Sequence, residues 1–315
     1  MQRRRSTFSN ARVFAAALAA AWVGLTCAAP SRAWAQACCA GSGALTPGRL
    51  AMHEDALVGG QLRAASVFGS WNEDGRYHGS PHGTSELDFE QDLFGSIRFL
   101  KRAQAALFIP LLETRRGANR TYEGGGGIGD VNLSGRYDFL EAGQSRLVPG
   151  IALLAGITFP TGVSPDSATK PLATDATGSG AFQGNVGLAL EQSYGHWLLN
   201  ATLLAAKRAT YSVQGVNATL GTRVTVLAAG GYVFDNDAAL ALLASYAAEG
   251  DATVNGNVVP RSSRRTTILS LSGVWPLSDH LRLTGSIFLN PPVLPLGTNE
   301  STSTGLTFGV VRSWS

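Results

Sequence analysis

No apolar run beyond residue 35 approaches the roughly 18 residues that a membrane-crossing helix requires, although 44% of the chain is hydrophobic. A bundle of membrane helices is thereby excluded, and the apolar residues must be distributed in another way. Cysteine is nearly missing. Of the three, Cys27 lies in the N-terminal segment and Cys38 and Cys39 are adjacent, so no disulfide framework holds a chain of this size. A basic excess is missing too. Residues 1–35 hold five of the 25 Lys and Arg and none of the acids, which leaves 20 minus 22, or −2, for the remainder. No basic stripe argues for nucleic acid. Histidine is limited to His53, His78, His82, His196 and His280, and none falls in a strand-like stretch where it could serve a serine as base, which argues against a barrel enzyme such as a lipase.

What is present begins with an export signal. Arg3, Arg4, Arg5 and Arg12 precede an apolar run from Val13 to Leu25, and Ala33-Trp34-Ala35 fits signal peptidase. Three segments follow: a cleaved Sec-type signal peptide over 1–35, an N-terminal periplasmic segment over 36–56, and one all-β domain over 57–315. Gln36 becomes the first mature residue. Lipidation at Cys27 or Cys38 is disfavoured because Gly24 or Ala35 stands where a Leu-type box is needed. Thr46-Pro47 reads as a helix N-cap with proline at the first position, which predicts a short helix over Arg49 to Ala56 that tethers, braces or partly plugs the domain behind it.

From Leu57 onward apolar and polar residues alternate, the period of a strand with two unlike faces. Over Glu86 to Leu100, Leu87, Phe89, Leu93, Ile97 and Phe99 fall on one face, and Glu86, Asp88, Glu90, Asp92, Ser96 and Arg98 on the other. Twelve such stretches occur, near 57–71, 86–101, 103–114, 128–140, 146–159, 182–194, 197–210, 219–234, 238–247, 264–275, 281–290 and 303–314. Long joints rich in Gly, Pro, Ser and Asn alternate strictly with short ones. An even strand count with alternating loop lengths is the pattern of a closed antiparallel transmembrane β-barrel, with long extracellular loops and short periplasmic turns. Trp71, Tyr137, Tyr194, Trp197, Tyr232, Trp275 and Trp314 fall near stretch ends, where interfacial girdles are found. Pro110 and Pro149 count against the third and fifth strands, because proline removes a ladder hydrogen bond.

The segment Gly127-Ile-Gly-Asp-Val-Asn-Leu-Ser-Gly-Arg-Tyr137 resembles a strand of the outer-membrane proteins grouped with the meta-pathway phenol-degradation transporters. Ile157-Thr-Phe-Pro-Thr-Gly162 is similar to the strand-to-loop exit that follows in them. The resemblance implies a barrel of about twelve strands that passes small, often apolar or aromatic, solutes. Leu306, Phe308, Val310 and Trp314 resemble the C-terminal strand that the barrel-assembly machinery reads, with Arg312 and the final Ser315 departing from that pattern.

The polar face carries the chemistry in such a domain. The lumen-facing candidates are Glu86, Asp88, Glu90, Asp92, Arg98, Asp130, Asn132, Arg136, Gln183, Asn185, Glu191, Arg208, Arg223 and Arg282. The four acids form a ladder that Arg98, Arg136, Arg208, Arg223 and Arg282 could face across the lumen, setting up a transverse field and an ion preference; lateral pairing that fills a narrow lumen is the alternative. Gly124 to Gly129 matches G-x-G-x-x-G but enters a strand where a dinucleotide site needs a helix, so the glycines read as a flexible loop tip. His78 and His82 beside Glu73 and Asp74 read as a solvated loop in preference to a metal site, and Cys38-Cys39 as an exposed pair in preference to a soft-metal site. The expectation is a barrel in the bacterial outer membrane, in contact with its lipids, needing no cofactor, metal or nucleic acid and passing small solutes by diffusion. A receptor, adhesin or structural barrel with a closed lumen is the alternative.

Overall fold

The computed structural model describes residues 49–315 apart from 52, 119–120, 146 and 214–215. The signal peptide, the processing site, Cys38-Cys39 and Thr46-Pro47 lie outside the described residues.

The chain closes into one antiparallel ring of twelve long strands. In order they are β1 (Ala56–Trp71), β2 (Thr84–Leu100), β3 (Ala103–Ala118), β4 (Val131–Leu140), β5 (Gly150–Phe159), β6 (Gln183–Tyr194), β7 (Trp197–Arg208), β8 (Arg223–Val233), β9 (Ala239–Glu249), β10 (Arg264–Ser278), β11 (Leu281–Leu289) and β12 (Glu300–Trp314). Each pairs with its sequence neighbours, and β12 returns to β1 from Ala56↔Trp314 to Trp71↔Glu300. Closure gives each of the twelve long strands a partner on both sides, which is what a wall in hydrocarbon requires. The twelve expected stretches are these twelve strands, with ends that shift by a few residues.

Alternation sorts the two faces. On β2 the exposed Leu93, Ile97 and Phe99 point outward with Leu62, Leu133, Leu188, Leu203, Leu242 and Phe308 of other strands, forming the apolar belt. Their neighbours turn inward. The short turns gather at one end, termed the turn end, and the long loops at the other, the loop end. At the turn end Gly195, at φ 58°, opens the two-residue Gly195-His196 connection, where the first position of a II′ turn needs a positive φ.

Both prolines fit without breaking the wall. Pro149 precedes β5. Pro110 stands where β3 changes partner: residues up to Phe108 pair with β4, whereas Leu111 to Ala118 pair with a further strand, Thr121–Ile128. The glycines at 124–127 therefore belong to a strand and not to a flexible tip. Backbone pairing needs no side chain, and a composition-based reading misses that. Short strands at Tyr211–Val213, Val216–Thr219, Thr253–Val254 and Asn257–Val258 form a small sheet of their own from two outer loops. Trp71 also departs from the girdle expectation. It is buried, with Gly297 packed so closely that a Cβ there would sit 2.2 Å from the indole.

Candidate functional site on the inner face

The cross-strand register carries the inner face around the ring. Gln61 pairs with Asp92, Arg63 with Glu90, and Leu57 with Ser96; Glu86 pairs with Arg116 and Asp88 with Thr114. Onward, Asn132 meets Thr158, Thr158 meets Gln183, and Gln183 meets Arg208. Glu249 lies between Arg223 and Arg264. All of the candidate residues on strands share this face, because each side chain alternates with an outward apolar neighbour.

The acidic ladder of β2 is paired sideways. Arg63 reaches Glu90 at 3.0 Å, Arg116 reaches Glu86 at 2.9 Å, Gln61 donates to Asp92 at 2.7 Å and Thr114 to Asp88 at 2.9 Å. These partners come from β1 and β3, so the expectation that Arg98, Arg136 and Arg282 balance the ladder across the lumen is corrected. Residues directly opposite on adjacent strands are about 5 Å apart, nearer than a far wall allows. Arg208 and Arg223 do stand on the opposite wall, five and six strands from β2. There Arg208 bonds Gln183 at 3.1 Å and Glu249 at 3.5 Å. Asn185 lies opposite Gly156, and Asn132 donates to Thr158 at 2.9 Å.

Asp130 serves as an anchor for the loop between β5 and β6. Its carboxylate accepts from the amides of Gly162 at 3.0 Å and Ser179 at 2.6 Å and from the Ser179 hydroxyl at 2.7 Å. The Thr161 hydroxyl adds a bond to the Gly129 carbonyl at 2.6 Å. The two segments that resemble family motifs are therefore tied to each other. The same loop lies against the glycine strand, where a Cβ on Gly125 would meet the Thr174 backbone at 2.7 Å. Glu123 accepts from the Leu172 amide and the Thr174 hydroxyl, and Arg116 donates to the Leu172 carbonyl. Within the loop, hydrogen bonds from the Thr169 backbone and hydroxyl, joined by the Lys170 amide, outweigh burial and hold the Asp175 carboxyl down at about 2.

At the turn end, residues 49–55 take a path that sequence reasoning did not foresee. They form no helix: Glu54 N–H donates to the Ala51 carbonyl and the Ala51 amide donates to the Glu54 carboxylate, closing a turn. The segment is a strap laid against the inside of the barrel. Arg49 pairs with Glu191 of β6, the Leu50 amide donates to Gln104 of β3, Arg98 of β2 donates to the Ala51 and Glu54 carbonyls, and Arg282 of β11 pairs with Glu54. Leu50 and Glu54 are 4% and 2% exposed. Tertiary partners on four strands override the helical cap signal, as they commonly do for a weak local preference. Burial pushes the Glu54 carboxyl up, but the hydrogen bond and charge of Arg282, with the Ala51 amide and the Ser313 hydroxyl, outweigh it and hold the group below its ordinary 4.5. Glu191 is the second anchor. It accepts from Arg136 at 2.9 Å and Asn200 at 3.1 Å besides Arg49.

Elsewhere, Glu73 pairs with Arg261 at 3.1 Å, and no group of three or more His, Cys, Asp or Glu among the described residues is placed to hold a metal. Arg312 lies on the outer face with its guanidinium 5.3 Å from the Trp314 ring centre.

Fold and inner face together define a closed, twelve-stranded antiparallel β-barrel of the outer-membrane type. Among solved structures, the COG4313 outer membrane channel from Pseudomonas putida F1 shares the fold at a TM-score of 0.69 and 12% identity, over 85% of this chain and 97% of that one. More distant likenesses are the transport unit of the autotransporter AIDA-I from Escherichia coli (TM-score 0.46, 10% identity, 88% of this chain and 96% of that one) and the P. putida toluene transporter TodX (0.43, 10%, 82% and 89%). No protein-family model and no curated protein matches the sequence.

Proposed function

We propose that this protein is a conduit in the bacterial outer membrane that passes small solutes by diffusion, with the turn end in the periplasm. The carrying observation is the inner face itself. Charged and hydrogen-bonding side chains line it on most strands, while the outer face is a mainly apolar belt, with Gln91 on β2 among its few polar members, the division that a water-filled lumen in a bilayer requires. The acids of β2, set against Arg208 and Arg223 on the far wall, make a transverse field that orients dipolar solutes. Similarity in fold to a solved outer membrane channel supports the reading. Its surroundings are outer-membrane lipids on the belt and the barrel-assembly machinery at β12, and it acts without catalysis or cofactor.

A second reading, a receptor or adhesin with a shut lumen, is favoured by one feature: the strap bonds β2, β3, β6 and β11 at the turn end. Single-channel recording in a planar bilayer separates the two. Stable ionic conductance by the purified protein is the expected result. Insertion without conductance, in the full-length protein and in one lacking residues 36–55, overturns the conduit.

A further inference from the structure

The strap covers a part of the inner wall with a chemistry of its own. Following the register around the ring, Arg282 of β11 lies beside Val311 of β12, Val311 beside Gly59 of β1, Gly59 beside Phe94 of β2, and Phe94 beside Phe108 of β3. This is one continuous cross-strand row. Its middle is apolar and it ends on a guanidinium. Gly59 makes the row flat, because a Cβ there would lie 2.5 Å from the Phe94 ring, so the aromatic side chain occupies the space that any larger residue would fill.

The strap sits on this row in a particular way. Leu50 packs among Leu57, Phe94 and Val311, with Phe108 against the same cluster. Four residues on, the Glu54 carboxylate pairs with Arg282. The chain thus supplies, from its own N-terminal segment, an apolar group for the apolar stretch and a carboxylate for the guanidinium.

We propose that this row is a binding site for an amphiphilic monocarboxylate, and that residues 49–55 are its built-in competitor. Strands lie about 4.8 Å apart, so the row from Arg282 to Phe94 spans roughly 14 Å, room for an acid with a short to medium apolar tail. A solute of this kind offers its tail to Phe94 and Val311 and its carboxylate to Arg282, and displaces Leu50 and Glu54 without leaving a buried charge unpaired. The tethered strap competes at an effective concentration on the order of millimolar or above, so the intact protein takes the acid weakly. The site does not require an open lumen; conductance tests the conduit, and binding tests the site.

The experiment uses the full mature chain in amphipol, titrated calorimetrically with hexanoate and, as neutral control, hexan-1-ol. Leu50→Ala combined with Glu54→Gln removes the apolar side chain and the negative charge that the strap sets on the row, and leaves the row intact. That variant is expected to bind hexanoate at least tenfold more tightly than the unaltered protein, with no comparable gain for the alcohol. Adding Arg282→Gln should cancel most of the gain, and adding Arg282→Lys should keep part of it, which separates loss of charge from loss of folding; heat-modified gel migration reports folding for each. Hexanoate binding that does not improve when the strap is weakened overturns the proposal. So does a gain shared equally by the alcohol, or one that persists in a folded Arg282→Gln protein.

Discussion

Arg136 on β4 and Glu191 on β6 form an ion pair of 2.9 Å across the strand that separates them. The contact is possible because β5 presents Gly150 and Ala152 there: Gly150 pairs with Glu191, and Ala152 pairs with Asp138, the other partner of Arg136. With Arg49 and Asn200 also on Glu191, one carboxylate that is 3% exposed joins three wall strands and the strap.

Removing that carboxylate leaves two largely covered guanidiniums, 12% and 10% exposed, without their shared partner. Glu191→Ala is expected to lower barrel stability by about 3–5 kcal/mol, the usual cost of breaking a buried pair on one side. Urea unfolding in lipid vesicles, followed by Trp fluorescence, gives the measurement. A change below about 1 kcal/mol, the value of an exposed pair, would show that water reaches this cluster freely.

The ladder of β2 predicts ion preference. Replacing Asp88 and Glu90 together by Asn and Gln keeps their volume, removes two negative charges and frees Arg63 from its 3.0 Å pair. Cation preference, read as the reversal potential in a salt gradient, should fall in the double variant and fall less at high salt, where screening already acts. A conducting pore with unchanged reversal potential shows that these acids serve only packing.

Strap docking should respond to acid. The Glu54 carboxyl is held below its ordinary 4.5, so its ionised pairing contributes fully above the unfolded value and is lost as pH falls through the lowered folded value. The groups that face it are Arg282 from β11 and Arg98 from β2, the latter also 3.9 Å from Asp55. Hydrogen exchange at the Leu50 and Ala51 amides should be protected and constant from pH 7 to 5, after correction for intrinsic rates, and lose protection below about 4.5. Equal protection at pH 3 shows that the strap is held by Leu50 and the backbone bonds alone.

Topology is testable by cysteine labelling of intact cells. Probes at Ser80 and at Val258, which is well exposed, should react from outside, and a probe at Gln144 in a short turn should not. Val258 is a better position than its neighbour Gly256, whose φ of 80° strains any other residue. The opposite pattern inverts the barrel.

The sequence alone determined the wall. Strand number, order and the face of every candidate side chain follow from a two-residue period and from alternating long and short joints, because in a closed antiparallel barrel each strand pairs with its sequence neighbours and a one-residue slip would bury charge in lipid. Partners across space were decided only by the tertiary structure. That Glu90 meets Arg63 depends on register between strands, and that Asp130 holds Gly162 and Ser179 depends on where a long loop folds; neither has a local signature. The strap is the clearest case. Thr46-Pro47 is a local helix signal worth about 1 kcal/mol, whereas Arg98, Gln104, Glu191 and Arg282 become neighbours of residues 49–54 only once the ring has closed, and together they outweigh it.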